Sequence, residues 1–170
     1  MVDEDFATLP ADGEAMGELL VRSPSMFAGY LNRPDATGAA FRDGWFCTGD
    51  VATLDADGYV TIVGRRSTDI IKSGGYKISA GEIEEVLLEH PAVAEAAVAG
   101  RPDEDLGERV TAWVVARATH DLDEDGLRSH CATALAPHKR PRAYHLVAEL
   151  PRNALGKVQK SRLTEPVAQA

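Results

Sequence analysis

The first third of the chain sets apolar and polar residues in short alternating runs broken by turn formers, a pattern of strands rather than helices. After an acidic opening punctuated by Pro10 and Gly13, Gly17-Glu18-Leu19-Leu20-Val21-Arg22-Ser23 reads as a strand stopped at Pro24. A turn is expected at Asn32-Arg33-Pro34-Asp35, one or two helical turns over 36–41, and a further turn at Asp43-Gly44. Residues 51–54 and 59–63 then form a hairpin across Asp55-Ala56-Asp57-Gly58.

Past Gly64 the period lengthens. Asp69-Ile70-Ile71 is a short apolar run, and Ser79-Ala80-Gly81-Glu82 is a capping box that opens a helix. Ile83, Val86, Leu87 and His90 share one face of that helix, which Pro91 ends. Two apolar strands, 93–99 and 109–116, bracket a polar loop, and 123–135 reads as a second helix stopped by Pro137. A strand over 144–150, a loop carrying Lys157 and a helix from about Ser161 close the chain. The expected class is α+β: a β-rich part over 1–64, a charged connection at 65–68, and an α+β lobe over 69–170.

Composition narrows the function. At 170 residues and 44% hydrophobic the chain can bury a core without disulfides or metals. Its formal charge of -9, from 18 basic against 27 acidic residues, argues against coating nucleic acid, which needs a basic face. Cys47 and Cys131 lack any metal-ligand or Cys-x-x-Cys spacing, so both read as buried or half-buried thiols suited to a reducing cytoplasm. No apolar stretch approaches the roughly 20 residues of a membrane span, and the opening Met1-Val2-Asp3-Glu4-Asp5 is acidic where a secretory signal is basic.

Four segments carry candidate chemistry. In Thr48-Gly49-Asp50 the aspartate stands in a turn after Trp45-Phe46, where it either caps its own turn or accepts two hydrogen bonds from vicinal hydroxyls such as those of a ribose. Gly64-Arg65 ends the same hairpin, and its guanidinium suits a ribose or phosphate oxygen as well as a surface ion pair. In Lys72-Ser73-Gly74-Gly75-Tyr76-Lys77 the glycines permit close approach of a pantetheine arm or phosphate and leave amide donors free, or else make only a tight turn. Lys157, in Pro151-Arg152-Asn153-Ala154-Leu155-Gly156-Lys157, is either a solvated lysine or an ammonium that swings onto a carboxylate and an α-phosphate. His90, His120, His130, His138 and His145 show no spacing that pairs them with an acid or a nucleophile.

In their order along one chain these segments resemble the carboxyl-terminal part of adenylate-forming, AMP-binding acyl-CoA synthetases. The resemblance implies that Asp50 holds the AMP ribose, that Arg65 contacts ribose or phosphate, and that Lys157 is the adenylation lysine. It implies that Lys72, Ser73, Gly74, Gly75 and Tyr76 line the thiol tunnel, with Gly81-Glu82-Ile83-Glu84 matching the helix start that follows it. The stretch from Gly64 through Glu84, with Leu135-Ala136-Pro137-His138-Lys139-Arg140-Pro141, is most similar to malonyl-CoA and methylmalonyl-CoA synthetases. Between Arg65 and Ile71-Lys72 the chain has one residue more than the commonest spacing, so the hinge falls among Arg66, Ser67 and Thr68.

The resemblance implies the cofactors and substrates ATP, AMP, CoA and a small carboxylic acid, with Mg2+ held mainly by an amino-terminal lobe. That lobe, longer than this whole chain in the family, carries a Ser/Thr/Gly-rich phosphate loop for which this sequence has no counterpart. Residues 1–64 then read as the closing β-rich piece of that larger lobe, and the chain as inactive alone. Loading of a carrier-protein pantetheine, a luciferase-like oxidation and a non-catalytic module that docks on a partner lobe are the other readings.

Overall fold

The computed structural model describes residues 1–118 and 122–164. They divide into two compact units, Met1–Ser67 and Thr68–Ala170.

In the first unit the central strand is β3 (Trp45–Leu54), flanked on its two edges by β1 (Gly17–Val21) and by β2 (Phe41–Arg42) with β4 (Val60–Arg65), all antiparallel. One short helix, α1 (Pro34–Ala40), precedes β2 and begins on a proline whose fixed φ suits a first turn. Both hairpin strands differ from the sequence expectation. β3 starts at Trp45 rather than at residue 51, so Thr48-Gly49-Asp50 lies within a strand, and β4 runs on through Gly64 and Arg65. The glycine that suggested a turn bends the strand instead: Gly49 has φ +75° beside a register shift between Val51 and Ala52. Apolar burial is thin here, being confined to Val2, Val51 and Ala52, while Phe27, Tyr30, Phe41 and Phe46 cluster with ring centroids 5.2–5.4 Å apart.

The second unit is built on β8 (Gly107–Ala116). β7 (Val93–Asp103) pairs antiparallel along one edge of it. Its other edge receives β5 (Ile70–Ser73) at Gly107 and, in parallel, β9 (Ala143–Leu146) at Thr111 to Val114. β6 (Tyr76–Ser79) returns from β5 as a hairpin. Residues 110–114 of β8 are almost wholly buried on both faces, and all but Thr111 are apolar, as suits a strand covered on both sides. On one face α2 (Ala80–Leu88) and α3 (Glu124–Ala134) supply Ile83, Leu87, Leu127 and Cys131 to a core with Ile71, Ile78, Val98, Val110 and Val114. On the other, Leu150 and Leu163 from the tail cover Ala97, Ala99 and Trp113.

The helix starts follow the sequence. Ser79 Oγ accepts the amide of Glu82 at 3.3 Å and Asp123 Oδ1 that of Gly126 at 2.7 Å, both N-caps. The tail is less regular than expected. The strand foreseen over 144–150 ends at Leu146, and in place of a helix from Ser161 there is a 3-10 turn at Lys160–Arg162, with 165–170 outside the described residues. His120 also lies outside them. Cys131 is buried and Cys47 half-buried; burial pushes the thiol of Cys131 and the phenol of Tyr144 up from their ordinary values. Among the described residues no helix is long and apolar enough to cross a membrane.

Candidate functional site

Asp50 and Arg65 face each other in the β3–β4 register, and Arg65 Nε lies 3.1 Å from Asp50 Oδ1. Arg65 Nη1 also donates to the carbonyl of Thr48, so one guanidinium closes the Gly49 bend from the side. A Cβ at Gly49 would stand 3.2 Å from that Nη1, which together with the positive φ makes glycine the fitting residue. The Asp50 side chain remains about a third exposed, leaving an acceptor edge for a hydroxyl pair, and Arg65 is more than half exposed.

Sequence reasoning missed the group that organises this bend. Glu18, only 6% exposed on β1, accepts the amide of Gly49 at 3.1 Å with one oxygen and Nη1 of Arg66 at 2.9 Å with the other. A buried carboxylate needs such partners to offset its desolvation, and here the partners are the Thr-Gly-Asp bend and the residue after Arg65. The signal in the sequence was a single charge inside the apolar run Gly17 to Val21.

In the second unit Gly74 and Gly75 form the two-residue turn between β5 and β6, with Ser73 opposite Tyr76. Both have positive φ, +56° and +83°, as a type I′ hairpin turn demands. The expectation of free amides at this turn does not hold for Gly74, whose N–H donates to the carbonyl of Leu106 at 3.0 Å. Around Gly75 a Cβ would meet nothing within 4 Å, so close access from outside exists there. Lys72 is exposed, with its amide on Glu108 Oε2 at 2.7 Å, and Ser73 is buried. Tyr76, half exposed, stacks on His138 with centroids 4.3 Å apart. Glu82, on α2, takes Lys139 Nζ at 2.6 Å.

Lys157 sits at the end of a compact loop rather than a slack one. Asn153 Oδ1 accepts the amides of Leu155 and Lys157, both at 3.0 Å, and the Asn153 amide donates to the Lys157 carbonyl at 2.9 Å. Gly156 turns the chain at φ +80°. The lysine side chain itself is exposed. Asp50 and Arg65 thus belong to the first unit, and the Lys72–Tyr76 turn and Lys157 to the second. Among the described residues no group of three or more His, Cys, Asp or Glu is arranged to hold a metal ion.

A lobe of this build, ending in a lysine hairpin, is the small carboxyl-terminal domain of AMP-binding enzymes: residues 82–157 match the AMP-binding enzyme C-terminal domain. The wider chain, with the Thr-Gly-Asp bend ahead of that lobe, has the sequence and fold of the carboxyl-terminal part of adenylate-forming acyl-CoA synthetases. It is 48% identical over 159 residues to the mitochondrial malonate–CoA ligase ACSF3 of Bos taurus, covering 93% of this chain and 27% of that ligase. Among solved structures it is similar to o-succinylbenzoate CoA synthetase from Bacillus subtilis in complex with the acyl-adenylate OSB-AMP, with TM-score 0.86, 36% identity, 96% of this chain and 33% of that one. ATP-bound MatB from Rhodopseudomonas palustris gives TM-score 0.83 and 38% identity over 94% of this chain and 31% of that one. The chain therefore spans about a third or less of the length of these relatives.

Proposed function

We propose that this chain is the carboxyl-terminal portion of an acid–thiol ligase that converts a carboxylate and MgATP to an acyl-AMP and then passes the acyl group to CoA. The observation that carries the reading is the Asp50–Arg65 pair, preset across two strands immediately before the lobe that ends in Lys157. Asp50 accepts from the ribose hydroxyls and Arg65 donates to ribose or phosphate oxygen. Lys157 brings one positive charge to the carboxylate and α-phosphate, stabilising the charge that builds as pyrophosphate leaves. Mg2+, held by the amino-terminal lobe, would neutralise the polyphosphate. The turn at Gly74 and Gly75, with Lys72, Ser73 and Tyr76, lines the path of the pantetheine thiol in the second step.

Exchange of the Lys157 face for the glycine face needs a pivot. Arg66 is held by Glu18 and donates its amide to the Gly49 carbonyl at 3.0 Å. On the other side Asp69 accepts the Ala80 amide at 2.8 Å and pairs with Lys160. Exposed Ser67 and Thr68 lie between these anchored positions, and we take them as the hinge in preference to Arg66.

Malonate is the acid proposed first, from the likeness to the Bos taurus ligase, and o-succinylbenzoate second, from the likeness to the Bacillus subtilis synthetase. The proposed compartment is a reducing cytoplasm, where the unpaired thiols Cys47 and Cys131 are at home. With malonate as the acid, the product would serve fatty acid metabolism. The test is pyrophosphate release from MgATP with a panel of acids that includes malonate, on this chain alone and mixed with a separately expressed amino-terminal lobe. Release in the mixture alone, for one acid of the panel, is expected. Silence of the mixture and of the uninterrupted enzyme would instead favour a non-catalytic docking module.

A further inference from the structure

We propose that Lys160 is a positioning residue for Lys157: it clamps the base of the lysine hairpin to the body of the lobe and so sets where the adenylation charge is delivered. The inference rests on the ligase reading above. Lys160 Nζ lies 2.8 Å from Asp69 Oδ1 and 2.8 Å from Glu84 Oε1, and its side chain is 16% exposed. Each acid is tied in turn to the framework. The carbonyl of Asp69 accepts the first amide of α2, and Glu84 Oε1 also accepts the amide of Val98 in β7 at 2.7 Å. One ammonium therefore joins the start of the lobe, helix α2 and strand β7 to the tail.

The hairpin that carries Lys157 closes immediately before this clamp. Arg152 and Val158 form a bridge, and the Gln159 amide donates to the Pro151 carbonyl at 2.8 Å. The loop beyond that closure is knit by its own hydrogen bonds, so it moves as a body and its direction is decided at its base. Two basic residues, Arg152 and Lys160, hold the base through ion pairs. The Arg152–Glu95 pair on one strand is more than two-fifths exposed on both partners, where water and salt screen it. The Lys160 pairs, from the 3-10 turn that follows the other side of the hairpin, are largely withdrawn from water, so removing the ammonium takes a shared, poorly screened cation from two neighbouring carboxylates. The aim of the hairpin thus depends on Lys160 more than on Arg152, and a displacement of about 1 Å at a catalytic group can cost roughly a hundredfold in rate.

The experiment compares Lys160→Met, Lys160→Arg and the milder Asp69→Asn in the full-length ligase, with each half-reaction assayed separately. For Lys160→Met, kcat for acyl-AMP formation should fall by about a hundredfold with KM for ATP nearly unchanged, while CoA transfer from supplied acyl-AMP stays within about threefold. Lys160→Arg should recover most of the loss and Asp69→Asn should show a fraction of it. In parallel, hydrogen exchange on this 170-residue chain should find the amides of Lys157 and Gln159 faster in Lys160→Met while those of Ile83 and Leu87 keep their protection. Equal losses in both half-reactions with core protection lowered would make Lys160 merely structural and overturn the proposal. Unchanged adenylation, or unchanged exchange at Lys157, would overturn it as well. A parent enzyme that releases no pyrophosphate, or in which Lys157→Ala changes nothing, refutes the ligase reading, whereas the exchange measurement still judges the clamp itself.

Discussion

Asp50 shows how a residue can be picked out for candidate chemistry and set in the wrong local structure. Arg65 was read as a separate ligand contact and the glycine between Thr48 and Asp50 as a turn; only the register of β3 against β4 reveals a bent strand in which the two side chains pair. Glu18 and Lys160 were passed over for the opposite reason. A lone acid or lysine is normally solvated, and nothing local says that its partners stand 48 and 91 residues away. For Lys157 the expectation is sharp. Lys157→Ala in the full-length enzyme should abolish most acyl-AMP formation while leaving CoA transfer from supplied acyl-AMP largely intact, measured as separate half-reactions. Equal losses in both would remove the lysine from its proposed place.

Among the elements, those fixed by local chemistry were readable and those fixed by packing were not. The Ser79 cap named the start of one helix, because a side-chain oxygen meeting an amide three positions on is a local event, and in the structure Asp123 caps the other in the same way. β9 was over-extended: Val147 and Leu150 are apolar because they cover Trp113, a tertiary reason that mimics strand periodicity. The β5–β6 turn gives a test at this scale. Gly75→Ala meets no steric obstacle yet forces a side chain to φ +83°, which should cost about 1–2 kcal/mol in a urea melt. Gly58, at φ +87° and equally open, is the control. Both alanine variants should lose comparable stability, but Gly75→Ala alone should slow transfer to CoA; an identical kinetic effect from Gly58→Ala would detach the turn from the thiol step.

At the scale of the whole molecule the two units differ in how they hold themselves together. Both clusters of buried core residues lie in the second unit, whereas the first relies on a partly exposed aromatic cluster and a sheet with few buried apolar side chains. Residues 68–170 expressed alone should therefore unfold in one cooperative urea transition, and residues 1–67 alone should show none. A cooperative melt of the shorter piece would contradict this. The sequence changes period near Gly64, but that change says nothing of the imbalance, since β-rich stretches of similar hydrophobicity can be buried or bare depending on what lies against them.

The tie between Asp69 and Lys160 bridges 91 residues. On a ribosome adding about 5–20 residues per second, the acid emerges roughly 5–20 s before its cation. During that interval the sheet and the α2 helix can already assemble, with one face of Trp113 awaiting the tail that will cover it. Translation thus supplies the charge proposed for adenylation only after the main core of its lobe, and a chain broken off before Lys157 would be folded in that core yet, on the ligase reading, chemically mute.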